Sequence, residues 1–436
     1  MSTLSSTSGL NTQRSWLGSA LASLAVALVG LGAVLVVVLA RELAAPIAAG
    51  THDDFLAFYG AGRLVLDGNA AGLYLASAIT AIERTIIPSP VGANGYMPFL
   101  NPPFAAMAFA PFAALPPQVA RVALAGLSAA ALAGAALWIG WPLAGRERIA
   151  AALLVGLSFP AYHTLAEGQW SAVMLLGGVA ALQAARGGSW RLAGLALATW
   201  WLKPQLIALP LLALALDRRW TAVAWSLLGG AALVLASLPS VGIGVYATYL
   251  GYLVEVGVSH FTGAGALVQS VWEGNLAAVE GLNGLLVGVF GQGSVVAVDV
   301  LWAILAVGLL AVWLLACRSQ RPGFETGAGR QMLAAGIGIV LLVDPHLYLQ
   351  DCLLVFLLVP ALWPAARGDY WRVLVGIAAM AALTPLPAHL FTVALLAIVV
   401  GWCARPTVPG RSIASGTLSS GKRWANRVLG PRSELV

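Results

Sequence analysis

From Trp16 to Ala40 no side chain can carry charge, and apolar runs of spanning or near-spanning length recur near residues 99–116, 118–143, 148–166, 169–186, 191–216, 219–237, 294–317, 331–344, 350–366, 370–386 and 388–404. A helix of about 20 apolar residues crosses a hydrocarbon core roughly 30 Å thick, so each run is a candidate span. No soluble packing hides this much apolar chain: 60% of the residues are hydrophobic, 9% are charged and the mean hydropathy is +0.88. Too few polar side chains remain to coat a water-facing surface. The expectation is an all-α polytopic membrane protein of roughly eleven to thirteen transmembrane helices.

The first run follows a head with one basic residue, Arg14, and outlasts the ~7 to 15 apolar residues of a signal-peptide core, so it reads as a retained helix. Residues 1–15 then form a cytoplasmic head, 16–404 the membrane domain and 405–436 a tail with six basic residues against Glu434. Such a tail is expected to be disordered, cytoplasmic and loosely drawn to anionic lipid. The net charge of +6 therefore says little about nucleic acid. Cys317, Cys352 and Cys403 lie in or beside apolar runs without metal-ligand spacing and read as inert core thiols.

Arginine-bearing connections stay cytoplasmic, which assigns to that side the head, residues 145–148, 186–191, 217–219, 317–330 and 367–372, and the tail. The connections between them face outward. Two of these are long, 41–98 and 241–294, and their short amphipathic stretches read as helices lying at the interface. Two full crossings between residues 99 and 143 would place Arg146 and Arg148 on the wrong side. Either the piece holding Pro102, Pro103, Pro111, Pro116 and Pro117 is re-entrant, or that loop breaks the rule. No internal repeat argues for inverted halves.

Inside the run 192–216 stands a single cation, Lys203, one of two lysines in the chain. An ammonium at membrane depth costs several kcal/mol unless an anion, a carbonyl or water meets it, so it marks a functional site that needs a partner. Snorkelling serves lysines near helix ends and fails for one with 11 apolar residues before it and 13 after. Pro204 and Pro210 interrupt a helix here, and two half-spanning pieces meeting at 203–205 would line a cavity.

On this topology polar residues from distant parts of the chain share the outer face with Lys203. They are Thr51, His52, Asp53, Asp54, Tyr59 and Arg63; Glu167 and Gln169; His260, Gln269, Ser270 and Asn275; and Asp344, His346, Tyr348, Gln350 and Asp351. A carboxylate, an imidazole, amides and a lone cation around an apolar cavity suit a site acting on an anionic lipid. Plainer readings exist for each. Asp53 or Asp54 solvates a loop or caps a helix starting at Phe55; His346 is an ordinary interfacial histidine; Gln169 is a helix-packing amide; and Asp299 lines a polar interior. A hard cation wants more oxygen ligands than the adjacent acids supply, so neither metal nor cofactor is expected.

The stretch Asp54-Phe55-Leu-Ala-Phe-Tyr59-Gly-Ala-Gly-Arg63, followed by Tyr96-Met-Pro-Phe-Leu-Asn101-Pro102-Pro103-Phe104, Glu167-Gly168-Gln169, Trp201-Leu-Lys203-Pro204-Gln205, Gln269-Ser270 and Pro345-His346-Leu-Tyr348, resembles glycosyltransferase family 87 in order and spacing. The resemblance covers most of the chain, from about residue 50 to 365. It implies the multi-helix GT-C fold and a polyprenyl-phosphate-mannose-dependent mannosyltransferase acting with inversion on a lipid or glycan acceptor. It also implies a general base at Asp54, with Asp53 as the alternative register, a Lys-Pro meeting the lipid phosphate at Lys203-Pro204, and a late histidine beside the base at His346. Arg63 is assigned as a second donor-phosphate contact, and Asp53, Tyr59, Asn101, Glu167, Gln169, Gln205, Gln269, Tyr348 and Asp351 as substrate contacts. The partners implied are the lipid-linked donor, the acceptor and membrane lipid, at the inner (plasma) membrane with the site facing the periplasm or exterior.

Two rivals remain. A secondary transporter of an organic anion also uses a broken helix with a buried lysine, but predicts paired halves and polar residues on both faces. A non-catalytic scaffold in the envelope leaves Asp54 and His346 without a shared purpose.

Overall fold

Proline placement decides where many of this chain's helices begin. The computed structural model describes residues 6–47, 54–87, 97–262, 279–291, 295–320, 327–362, 367–386 and 389–404, and among them every regular element is a helix. Thr51, His52, Asp53, Tyr96, Gln269, Ser270 and Asn275, the side chain of His260 and the tail lie outside the described residues. In chain order the helices are α1 (Ser6–Ala44), α2 (Phe55–Leu66), α3 (Ala76–Ile86), α4 (Pro103–Ala113), α5 (Pro117–Ile139), α6 (Gly145–Gly156), α7 (Phe159–Ala166), α8 (Ser171–Arg186) and α9 (Trp190–Leu197). They continue as α10 (Pro204–Leu216), α11 (Trp220–Val241), α12 (Ile243–Thr262), α13 (Gly281–Phe290), α14 (Val295–Gln320), α15 (Gly327–Val343), α16 (Leu358–Leu362), α17 (Arg367–Ala381) and α18 (Leu390–Ala404). Short 3₁₀ turns occupy Ala70–Gly72, Ala198–Leu202 and Asp351–Leu357.

Pro103, Pro117 and Pro204 each open a helix, the position where a missing N–H goes unnoticed. The residues before them, Pro102, Pro116 and Lys203, are pushed out of the helical region, with ψ of 153°, 143° and 85°. The Pro-Pro pairs thus confine α4 to 11 residues, about 16 Å of helix and roughly half a hydrocarbon core. Within residues 99–143, α5, with 23 residues, is long and apolar enough to cross alone and α4 is not, a division that fits the re-entrant reading of the proline-rich piece.

Four stretches are long and apolar enough to cross alone, namely Gly18–Ala44 within α1, α5, α11 and Val296–Arg318 within α14; α6 and α7 meet at 52° and together pass as a fifth. The other apolar runs are built from shorter helices, of 17 residues or fewer. Many of the spans expected from composition are therefore short or broken pieces. Pro204 splits the run 191–216, and the described part of the run 350–366 forms a 3₁₀ turn followed by the five residues of α16, which contain Pro360.

Helix α2, expected as an interfacial helix of the first outer loop, is also packed into the protein, with ten of its twelve residues buried. Phe55 and Phe58 pack on Phe109 of α4 with ring centroids 5.9 and 5.6 Å apart, and Trp170 closes the cluster edge-on 6.0 Å from Phe58. Gly62 permits this approach: a Cβ there would stand 2.8 Å from that of Ala113 and 3.2 Å from the Phe109 backbone. The helix is thereby fixed at the end that carries Asp54.

The next helix, α3, is amphipathic, and its inward face carries Glu83, 1% exposed, whose two oxygens accept the Met97 N–H at 3.1 Å. Burial pushes this carboxyl up to about 7, against the opposing pull of the Met97 hydrogen bond. A folded-state value raised above the unfolded one means that the docking of α3 is at full strength below about pH 4.5 and weakens as pH rises through 7. Glu83→Gln keeps an acceptor for Met97 and has no charge to bury. It should raise the thermal midpoint at pH 8 by an amount worth roughly 1–3 kcal/mol and leave it unchanged at pH 4.5; equal midpoints for both proteins at pH 8 would refute the buried charge.

Candidate active site

Lys203 occupies the break between the 3₁₀ turn Ala198–Leu202 and α10. Pro204 has no N–H to give to Trp200 O, which instead takes the Lys203 N–H at 3.0 Å, and helical bonding resumes with Leu206 N–H to Lys203 O. The expected meeting of two half-length pieces at 203–205 is what the backbone does. The side chain is 10% exposed, and Nζ donates to both oxygens of Asp351, at 2.7 Å to Oδ1 and 2.6 Å to Oδ2. Asp351, 1% exposed, also accepts the Ser171 hydroxyl at 2.7 Å on Oδ1. Within the chain, then, the anion that meets the buried ammonium is a carboxylate 148 residues away, held by a charge-assisted pair and one neutral donor.

Asp54 immediately precedes α2, yet its carboxylate makes no capping bond to the helix. Oδ2 instead accepts the side-chain amides of Gln169, in a short bond, and of Gln350, at 3.3 Å. Gln169 reaches it because Gly168, with φ +68°, turns the chain after α7 where a Cβ would come within 3.0 Å of the Phe55 side chain. Gln350 is held from behind, its carbonyl accepting the Thr164 hydroxyl at 3.2 Å. Of the plainer readings, helix capping by Asp54 is thus replaced by a side-chain clamp.

The turn between α15 and the 3₁₀ segment Asp351–Leu357 carries the remaining candidates. Asp344 closes it by accepting the His346 N–H at 3.0 Å, and Asn283 of α13 donates to Pro345 O at 3.3 Å. Glu280 N–H reaches Leu347 O at 2.6 Å, and Tyr348 pairs with Val279 in an antiparallel bridge, the one such pairing among the described residues. Tyr348 lies in the field of Asp54, Asp344 and Asp351, and Asp344 in that of Asp351 and Lys203. Asp54, Asp344, Asp351 and Glu280, with the Lys203 ammonium and the His346 imidazole, therefore share this turn and its surroundings. Among the described residues, no three His, Cys, Asp or Glu side chains are grouped as a metal site would group them.

Several other sequence candidates lie apart from this cluster, and one borders it. Arg63 is nine residues along α2 from Asp54, roughly 13 Å, and pairs at 2.7 Å with Asp67 at the protein surface, 38% and 48% exposed. Tyr59 donates to Leu115 O at 2.9 Å, Glu167 faces His163 at 3.8 Å, and Gln205 is exposed. Asn101 donates to Leu202 O at 2.9 Å, next to Lys203. Sequence reasoning gives no role to two residues that hold the cluster. Gln350 is visible only as another polar residue of the late turn, and Ser171 carries no signal beyond its nearness to Gln169.

The family model of glycosyltransferase family 87 matches residues 99–345, more than half of the chain. That range contains Asn101, Gln169 and Lys203 and stops short of Asp54, His346 and Asp351. No curated protein and no solved structure matches.

Proposed function

The chain belongs to glycosyltransferase family 87, and from that membership we propose that it moves mannose from a polyprenyl-phosphate donor to a lipid or glycan acceptor, with inversion, at the outer face of the inner (plasma) membrane. What supports this reading is one observation: Lys203 and Asp54, 149 positions apart, are joined through adjacent residues of one turn, Asp351 holding the first and Gln350 the second. A leaving-group charge and a base are thereby kept in a single cluster, with Lys203 buried and Asp54 half-buried.

In this mechanism the acceptor hydroxyl attacks the anomeric carbon from the face opposite the phosphate. Its proton passes to Asp54, the new carbon–oxygen bond forms, the bond to the phosphate oxygen breaks, and the electron pair leaves with the phosphate. One base and no second carboxylate nucleophile suffice for inversion. Asp351 orients the Lys203 ammonium with two of its three N–H bonds, and the third is available to a phosphate oxygen. A compact charge in a low-dielectric pocket can supply several kcal/mol as negative charge grows on the leaving phosphate. His346, in the same turn as Gln350, positions the base or shares its proton. Asp53, Glu167, Gln169, Gln205, Gln269 and Tyr348 are retained as substrate contacts; Arg63, paired with Asp67 at the surface, and Tyr59, bonded to Leu115 O, are not used in the steps above.

Purified protein in lipid vesicles, supplied with radiolabelled polyprenyl-phosphate mannose and membrane lipid extract, should yield a labelled glycolipid with inverted anomeric configuration. Counter-transport of a soluble anion with no glycolipid formed would favour the transporter instead.

A further inference from the structure

We propose that Asn101 is a positioning residue for Lys203, its side-chain amide fixing the place at which the helix breaks and so the direction of the ammonium. The break creates a local problem of hydrogen bonding. The first bond of α10 runs from Leu206 N–H to Lys203 O, one residue beyond Leu202. Leu202 O takes a donor from Asn101 Nδ2 at 2.9 Å, reaching across 101 residues of sequence. Leu202 is itself buried, where a carbonyl lacking a partner is costly.

Asn101 is in turn held. Its carbonyl accepts the Tyr74 hydroxyl at 2.8 Å, and its backbone is stiffened by Pro102 and Pro103 on one side. The Tyr74 ring packs against Phe99, Tyr249 and Tyr252 with centroids 6.0, 5.4 and 5.3 Å away. A strap from the first outer loop, braced by α12, thus grips the backbone one residue before Lys203. The ammonium has little freedom beyond it, since Nζ already sits 2.6–2.7 Å from both Asp351 oxygens. Shifting the Leu202 carbonyl moves the root of that side chain, and a displacement on the order of 1 Å at a reacting group can cost about 100-fold in rate.

The effect on catalysis rests on the reading of Lys203 as the phosphate-facing charge, but the effect on Lys203 itself does not. Because Lys203 and Lys422 are the only lysines, biosynthetic ¹⁵N-lysine labelling of the full chain in lipid nanodiscs gives just two side-chain ammonium signals. Asn101→Ala should move or broaden the Lys203 signal and lower the turnover rate by about 10- to 100-fold with the acceptor KM unchanged. Asn101→Asp should behave like the alanine variant at high pH, where its carboxylate faces the Leu202 carbonyl. It should return toward the unmodified chain as pH falls and the protonated acid donates. Tyr74→Phe keeps the aromatic packing and removes only the hydroxyl, so it should shift the same signal by a smaller amount; it carries the test if the Asn101 variants do not fold. An unmoved Lys203 signal in Asn101→Ala or, failing that, in Tyr74→Phe would overturn the proposal, as would a rate ratio between the aspartate and alanine variants that is flat with pH. If the unmodified chain transfers no sugar, the proposed function fails while the ammonium signal still decides the role of Asn101.

Discussion

Replacing Lys203 with methionine should lower sugar transfer by roughly 100- to 1,000-fold, the usual consequence of removing one group that stabilises charge in a transition state. It should also destabilise the fold, because Asp351, 1% exposed, loses the ammonium that two of its bonds depend on and keeps only the Ser171 hydroxyl. Breaking a buried pair from one side costs about 3–5 kcal/mol, whereas replacing both partners by neutral groups of similar volume is often close to neutral. The double variant Lys203→Met, Asp351→Asn therefore separates the two effects. It should unfold within about 1 kcal/mol of the unmodified chain in a thermal melt and still fail to transfer sugar. A double variant that regains both stability and activity would make the pair a structural brace and remove Lys203 from the chemistry.

That brace also shows how far the sequence could be read. The break at Lys203 was legible because its cause is local: Pro204 withdraws an N–H and its ring excludes the helical region for the residue before it. The shortness of α4 follows from the same chemistry at Pro102, Pro103, Pro116 and Pro117. Asp351, in contrast, is 148 residues from Lys203, and nothing in local propensity links them. Helix α2 was hard to place for another reason. In a water-soluble domain Phe-Leu-Ala-Phe-Tyr would signal burial, but near a membrane the same residues suit lipid and protein equally, so apolar character cannot say that ten of twelve positions face protein. Arg63 shows how little proximity in sequence says of place in the fold. It belongs to the same motif as Asp54, yet two and a half helical turns carry it roughly 13 Å away, where Asp67 at i+4 takes its charge.

Asp54→Asn should lower the rate by roughly 100- to 10,000-fold, the range that a positioned base contributes, while leaving the thermal midpoint nearly unchanged. The second half of that expectation is the sharper one. The substitution keeps the volume of the side chain, and an asparagine oxygen turned toward Gln169 and Gln350 still accepts the two amides that now meet Oδ2. Because Asp54 makes no capping bond, α2 also loses nothing at its start. A large rate loss without loss of stability would thus report chemistry, not unfolding, and an activity above about a tenth of normal would send the search for the base to the neighbouring Asp53. The clamp supplies the complementary test. Gln350→Ala removes one of the two amides while leaving the carboxylate, so its rate should fall by about 10-fold, an effect of orientation alone. In the double variant Asp54→Asn, Gln350→Ala that second loss should vanish, since a side chain that no longer takes the proton gains nothing from being aimed. Full additivity of the two losses would instead place Gln350 in a role independent of Asp54, most simply in holding the turn that carries Asp351.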